Sequence, residues 1–278
     1  MNIQTVSFRF KLLTPCFSGT AMGKHGGAEM RVPPIRGHIR FWHRVLYSAE
    51  SCNEVWGSAS GETGNASKVA VRLFNDGTIS EKKFSILPHK DKGKGTGNAI
   101  PRGEEFEFEL QRLVGCSDDN WRKAQNATKL WLLLGSLGLR SNRAAGSVWP
   151  VENWTPKNKD ELTNQINQLG LKAYSIALIG KKSNNDSETL RETASDTIRN
   201  RAPVNIFGSI SPRTPSPTKF KVIELEDGLC LLALAPKKTV YCNDGKQRLI
   251  LEEAERLLNM KPDHARWRGL GKWNYIIR

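Results

Sequence analysis

The sequence lacks any cysteine pair spaced for metal or redox chemistry. Its five cysteines stand at positions 16, 52, 116, 230 and 242, and no two lie within a few residues of each other. Zinc modules and thioredoxin-like sites, which need CxxC-type spacing, are thereby set aside. The odd count and a start, MNIQTVSFRF, without a secretory leader pattern lead to the expectation of a reducing, cytoplasmic setting. No apolar run approaches the ~20 residues of a membrane-crossing helix, and no basic amphipathic anchor stands out, so no membrane partner is expected. P-loop, HExxH and GxSxG patterns are also missing, and neither a metal nor another cofactor is expected. Acidic residues are the scarce sign: 28 Asp and Glu face 42 Lys and Arg, a formal net charge of +14. A field of that sign attracts polyanions before any specific contact forms, and nucleic acid is the first partner to consider.

What is present describes a folded chain. Apolar residues make up 38% and charged residues 25% of 278, with no long low-complexity tract, which excludes global disorder. A chain of this length favours two domains, here 1–151 and 152–278. Val6, Phe8, Phe10 and Leu12 alternate with Ser7, Arg9 and Lys11, the pattern of a half-buried strand. In PPIRGHIRFWHRVLYSAE, Ile35, Ile39, Trp42 and Leu46 recur at helical spacing behind Pro33 and Pro34. KVAVRLF at 68–74 and EEFEFEL at 104–110 read as strands, and the basic, Gly-rich insert between them, residues 89–103, reads as a loop. Ala124, Ala127, Trp131 and Leu134 mark a second helix, and SVWPV closes a β-α-β-β-α-β order. A looser copy follows a linker and an extra helix at DELTNQINQL. It has a strand at 171–180, a helix near 187–199, strands at 218–225 and 229–235, a helix at 247–260 and a final strand at KWNYII. The expected fold is α+β, two tandem ferredoxin-like (RRM-like, βαββαβ) domains.

Two segments point to chemistry. Arg36, Arg40 and Arg44 line one side of the first helix, roughly 130° around from its apolar stripe. No acid stands between Arg31 and Arg44, His38 and His43 add polar groups, and a guanidinium fork suits phosphate. A salt-bridge row with Glu105, Glu107 and Glu109 is the structural alternative. SLGLRSNRAAG after the second helix holds Gly138, Arg140, Ser141, Arg143 and Gly146. Its glycines permit conformations that bring backbone N–H groups close to an anion, although an ordinary helix cap explains such a turn as well.

TPCFSG at 14–19, PPIRGHIRFWHR at 33–44 and LLGSLGLRSNRAAGSV at 133–148 occur in that order. Together they resemble the RAMP proteins of CRISPR systems. With EVWGS at 54–58 they are most similar to the type III-B, or Cmr, branch of that superfamily, its first-numbered subunit above all. FGSISPRTPSPTKFKVIEL at 207–225, with Arg213, resembles the second signature stretch of the family. This chain departs from the pattern at Asn142, Ala144 and Ala145, where more Arg, Gly or aromatic residues are usual, and at His43, where a second Trp is common.

The resemblance implies a non-catalytic, RNA-binding subunit of a ribonucleoprotein effector in antiviral defence. Its partners would be guide (CRISPR) RNA, target RNA near the guide 3′ end, and other RAMP subunits. The expected RNA contacts are Arg36, Arg40, Arg44, His38, Gly138, Arg140, Ser141, Arg143, Gly146 and Arg213. The alternative is a metal-independent guide-processing endoribonuclease, since His25 in GKHGG, with Lys24 beside it, stands where RNA-processing relatives keep a general acid or base. A third reading is another kind of RNA-binding protein. The tail ARWRGLGKWNYIIR also sets Trp267, Trp273 and Tyr275 among Arg266, Arg268 and Lys272, either as a stacking platform or as core. With +14 charge and few base-reading signatures, RNA affinity should fall steeply with log salt between about 50 and 200 mM in a filter-binding titration. A flat curve would count against an electrostatic interface.

Overall fold

The computed structural model describes residues 3–19, 27–59, 64–74, 81–89, 95–180, 186–197, 205–210, 212–259, 267, 270 and 272–278. In β1 (Thr5–Leu12) the alternation sends Phe8, Phe10 and Leu12 into the core and leaves Ser7 and Arg9 outside. β5 (Glu105–Arg112) repeats it with Phe106, Phe108 and Leu110. The two strands pair antiparallel with Phe8 opposite Phe108 and Phe10 opposite Phe106, and the rings stack across the ladder at 5.6 and 5.5 Å. β2 (Val69–Phe74) flanks β5 and β6 (Val148–Pro150) flanks β1, so the sheet runs β2-β5-β1-β6 with every neighbour antiparallel.

Two helices cover the phenylalanine face. α1 (Val32–Leu46) buries Ile35, Ile39 and Trp42, and α3 (Asp118–Leu134) sets Trp131 edge-on to Phe10 and Phe108 at 5.6 and 5.7 Å. Ser117 caps α3 by accepting from the Asn120 N–H at 3.2 Å, and Asp118 and Asp119 in the first turn complement the helix dipole. Between α1 and β2 lies an unforeseen helix, α2 (Ala49–Trp56), capped by Ser48; eight residues are too few for a periodic signal to rise above noise.

The second half repeats the order. β7 (Tyr174–Ile179), β10 (Lys219–Leu225), β11 (Gly228–Pro236) and β14 (Trp273–Ile277) form a sheet in the order β10-β11-β7-β14, again all antiparallel. α5 (Ser187–Ser195) and α6 (Ile250–Asn259) provide its helices, and α4 (Lys159–Gln168) is the extra one. Both sheets place their strands in the spatial order second, third, first, fourth, which is the ferredoxin-like order, so the fold is α+β with two such units in tandem. β7 shows no alternation because all six of its residues are buried. Among the described residues three hairpins decorate the sheets: β3 (Lys82–Ser85) with β4 (Thr96–Ala99), β8 (Ser209–Ile210) with β9 (Arg213–Thr214), and β12 (Thr239–Tyr241) with β13 (Gln247–Leu249). The insert read as a loop therefore contributes β4, with residues 90–94 outside the described ones, and the helix expected from 247 starts at Ile250 because Gln247–Leu249 pairs with β12.

β10 is an edge strand, and the glycine-rich loop of the first sheet's domain covers its outer edge. The Phe220 N–H donates to the Asn142 carbonyl at 3.2 Å, and the Ala144 N–H donates to the Phe220 carbonyl at 3.0 Å. The Val222 N–H donates to Ser147 Oγ at 3.0 Å. Between them Lys221 is fully buried; its Nζ donates to the Leu132 carbonyl in the last turn of α3 at 2.7 Å and lies 5.5 Å from the Trp149 ring centre. Lys11 pairs with Glu224 at 2.5 Å, and Trp42 meets Tyr174 at 5.6 Å between ring centres, so buried residues of both units form one contiguous core.

Burial holds the Lys221 ammonium well below its ordinary pKa of 10.5. Its folded pKa lies below its unfolded one, so the unfolded chain binds the proton more readily and stability must rise as pH climbs toward 10.5. Urea unfolding at pH 7 and pH 9.5 should show this rise in the native sequence and a flatter one in Lys221→Met.

Candidate nucleic-acid interface

The arginine row of α1 has an internal task. Arg36 and Arg40 are half-buried and both donate to the Trp56 carbonyl at the C-terminus of α2, Arg40 through Nη1 at 3.1 Å. Cations suit that end of a helix, where carbonyls carry the negative pole. Burial and the neighbouring Arg40 charge lower the Arg36 pKa. On the same side, Trp56 Nε1–H donates to His43 Nδ1 at 3.1 Å, which places the histidine proton on Nε2 facing Ser51 Oγ at 3.1 Å. His43 is kept neutral, its pKa pushed down to about 4 by burial and then by Lys123 and Arg40. Arg44 alone of the three stands exposed. The salt-bridge partners considered from the sequence are elsewhere: Glu105, Glu107 and Glu109 on β5 sit opposite Lys11, Arg9 and Ser7 in the ladder, with Glu109 also opposite Arg72. This alternating acid row makes the open face of the first sheet a poor surface for phosphate.

The glycine-rich loop also looks inward. Gly138 and Gly146 have φ of 79° and 60°, and a Cβ there would lie 2.7 Å from the Phe17 carbonyl oxygen and 2.0 Å from that of Leu137. The close approach that the glycines permit is therefore to the chain's own residues; Gly146 N–H donates to the Pro15 carbonyl at 2.9 Å and Leu139 N–H to that of Phe17 at 3.0 Å. Arg143, expected as a phosphate clamp, reaches into the second unit instead. Its guanidinium donates to the Phe207 carbonyl at 2.7 Å, Ser216 Oγ at 3.2 Å and the Thr218 carbonyl at 3.3 Å, between the rings of Phe207 and Phe220. Arg140 is exposed at the loop tip with φ of 64°, and Ser141 is half-buried beside it. Arg213 pairs with Ile210 through the backbone, while its side chain, like Lys24, His25, Arg266 and Arg268, lies outside the described residues. The tail aromatics do not form a platform: Trp267 and Trp273 are buried around Phe220, with ring centres 5.2 and 6.3 Å from it.

The loop does approach α1, but on another side from the arginines. Gly37, His38 and Phe41 face Ser141 and Asn142 across an open cleft of about 370 Å³ between the two units, lying roughly 110° around α1 from the arginine row. Lys219, at the start of β10, closes the far side with its Nζ 4.0 Å from the Phe41 ring centre. No carboxylate pairs with Lys219 among the described residues, and burial pushes its pKa down to about 8. His38 is kept neutral, its pKa lowered to about 4 by burial and then by Lys219. Sequence reading missed Lys219 and Phe41, since a lysine alternating with Phe220 in TKFKVIEL resembles any wet strand face. Among the described residues no group of three or more His, Cys, Asp or Glu is placed to hold a metal, and no helix is long and apolar enough to cross a membrane.

Tandem ferredoxin-like units locked together by a glycine-rich loop after the second helix define a class of protein. The chain belongs to the RAMP superfamily, whose family model matches residues 9–149. It is 27% identical over 165 residues to the CRISPR system Cmr subunit Cmr1-1 of Pyrococcus furiosus, which is 51% of this chain and 46% of that one. The match thus spans about half the length of that curated relative. The crystal structure of Cmr1 from Pyrococcus furiosus in its apo form superimposes with a TM-score of 0.59 at 18% identity, over 91% of this chain and 93% of that one. A chain of the type III-B Cmr-beta structure bound to cognate target RNA gives 0.53 at 11% identity, over 85% and 94%.

Removing Arg143 takes the guanidinium donor from the Phe207 carbonyl and from Ser216 Oγ, while the Thr218 carbonyl keeps the Ser216 hydroxyl as a donor; Arg44 has no comparable partner among the described residues. Arg143→Ala should therefore lower stability by about 1.5–3 kcal/mol, the scale of hydrogen bonds to a charged group. Arg44→Ala should stay within about 0.5 kcal/mol of the parent in the same thermal melts.

Proposed function

We propose that this protein is a non-catalytic, RNA-binding subunit of a type III-B Cmr ribonucleoprotein effector, where it helps hold guide and target RNA near the guide 3′ end beside other RAMP subunits. The observation that carries this reading is the likeness to Cmr1 across both ferredoxin-like units, on a chain whose net charge is +14. The sequence match to Cmr1-1 and the Cmr-beta structure with bound target RNA support it. Charge supplies the sequence-independent part of RNA affinity. Arg44 and Arg140, both exposed, remain the phosphate contacts of the original set best placed to act. Arg36, Arg40 and Arg143 serve the frame that presents them. The ribonuclease reading rests on His25, outside the described residues.

Affinity purification of the tagged chain from its native cells should bring down RAMP subunits together with a guide RNA. Recovery of the chain without either would overturn the proposal. Incubating the purified protein with repeat RNA in EDTA should give no defined product, and cleavage at one position would transfer the assignment to the ribonuclease.

A further inference from the structure

The cleft between α1, the glycine-rich loop and β10 has a chemistry that the frame itself does not use. Its floor is apolar and includes Phe220, its wall carries the half-buried Phe41 ring, and its rim holds the Lys219 ammonium with no carboxylate to meet it among the described residues. His38 and Ser141 face it from opposite sides, and neither side chain has a hydrogen-bond partner among the described residues. The volume of about 370 Å³ lies within the range of small-ligand sites, roughly 300–1,000 Å³. An apolar floor, an aromatic wall, a donor and acceptor at the edge and one cation at the mouth match the parts of a nucleotide.

We propose that this cleft receives a single nucleotide of a bound RNA strand, its base turned in over the apolar floor toward His38 and Ser141 and its phosphate against Lys219. The site lies between the two units, away from both the acid row of the first sheet and the arginine cap of α2. Neutral imidazole presents one N–H and one bare nitrogen, and so reads a base edge without adding charge. A half-buried, unpaired ammonium gains more from an arriving phosphate than an exposed one does, because burial has already removed part of its hydration. Base contacts of this kind are worth about five- to a hundredfold in affinity. The proposal rests on the RNA-binding reading and adds a position along the strand at which the base itself counts.

Gly37 supplies the test. A Cβ built there meets nothing within 4 Å, so Gly37→Phe can extend toward the cleft while α1 keeps its packing. The probes are a single-stranded oligoribonucleotide, the same oligomer with an abasic unit at each position in turn, and free nucleoside monophosphates, all at fixed salt. The native chain should lose about five- to a hundredfold in affinity for an abasic unit at one position. Gly37→Phe, with an unchanged melting temperature, should bind the intact oligomer as weakly as the native chain binds that abasic one and should ignore the abasic scan. Lys219→Gln should lower the salt slope by about one. Equal binding of the intact oligomer by the native chain and both variants, with the ordinary salt dependence, would overturn the cleft site and leave the general RNA reading standing. Failure of the native chain to bind the oligomer at all would sink that reading and the cleft with it. Tight binding of a free monophosphate that the oligomer does not displace would overturn the assignment to an RNA strand.

Discussion

Everything in this molecule depends on how the outer edge of β10 is covered. An edge strand presents unpaired N–H and C=O groups, and here residues 142–147 of the first unit fill them through the Phe220 and Val222 bonds. Arg143 drives into the second unit from the same loop, and Lys221 returns the contact by capping α3. Each arm ends on backbone carbonyls that would otherwise be buried without donors, so the two units are fastened by polar groups that water cannot replace cheaply. The loop can take this course because Gly138 and Gly146 adopt left-handed conformations where a side chain would strike the Phe17 and Leu137 carbonyls.

That fastening redistributes the positive charge. Arg36, Arg40, Arg143 and Lys221, which look in the sequence like part of a basic surface, all serve as internal donors. Helix C-termini attract cations for the same electrostatic reason that phosphates do, so a basic residue near a helix end has two destinations of similar appeal. Among the described residues, Arg44 on the far turn of α1 and Arg140 at the loop tip stay exposed, and Lys219 is held at the mouth of a cleft by the ring of Phe41. The acids opposite Arg9 and Lys11 balance the charge on the open face of the first sheet, whereas Lys219 at the seam between the units has no carboxylate paired with it among the described residues.

The alternation of Phe8, Phe10 and Leu12, the Glu and Phe rhythm of β5 and the helical spacing of Ile35, Ile39 and Trp42 were sufficient to read the order of elements in the first unit. Local periodicity is dictated by which residues are half-buried, and these elements have one wet face. β7 was harder, since a strand buried on both sides has no rhythm, and α2 was missed because its one local signal, the Ser48 cap, is common in turns as well. The family resemblance in PPIRGHIRFWHR and SLGLRSNRAAG was equally legible, for it resides in the order of residues.

The sequence alone therefore determined the fold class, the superfamily and the sign of the field around the molecule, all of which follow from local pattern and composition. It did not determine the destination of any particular cation. Whether Arg143 meets a phosphate or the Phe207 carbonyl depends on residues 64 positions apart being brought together, and the cleft formed by His38, Ser141 and Lys219 exists only once two sheets have docked. Only the tertiary structure decides such pairings, because a guanidinium satisfies any well-placed acceptor, and docking determines which acceptor is within reach.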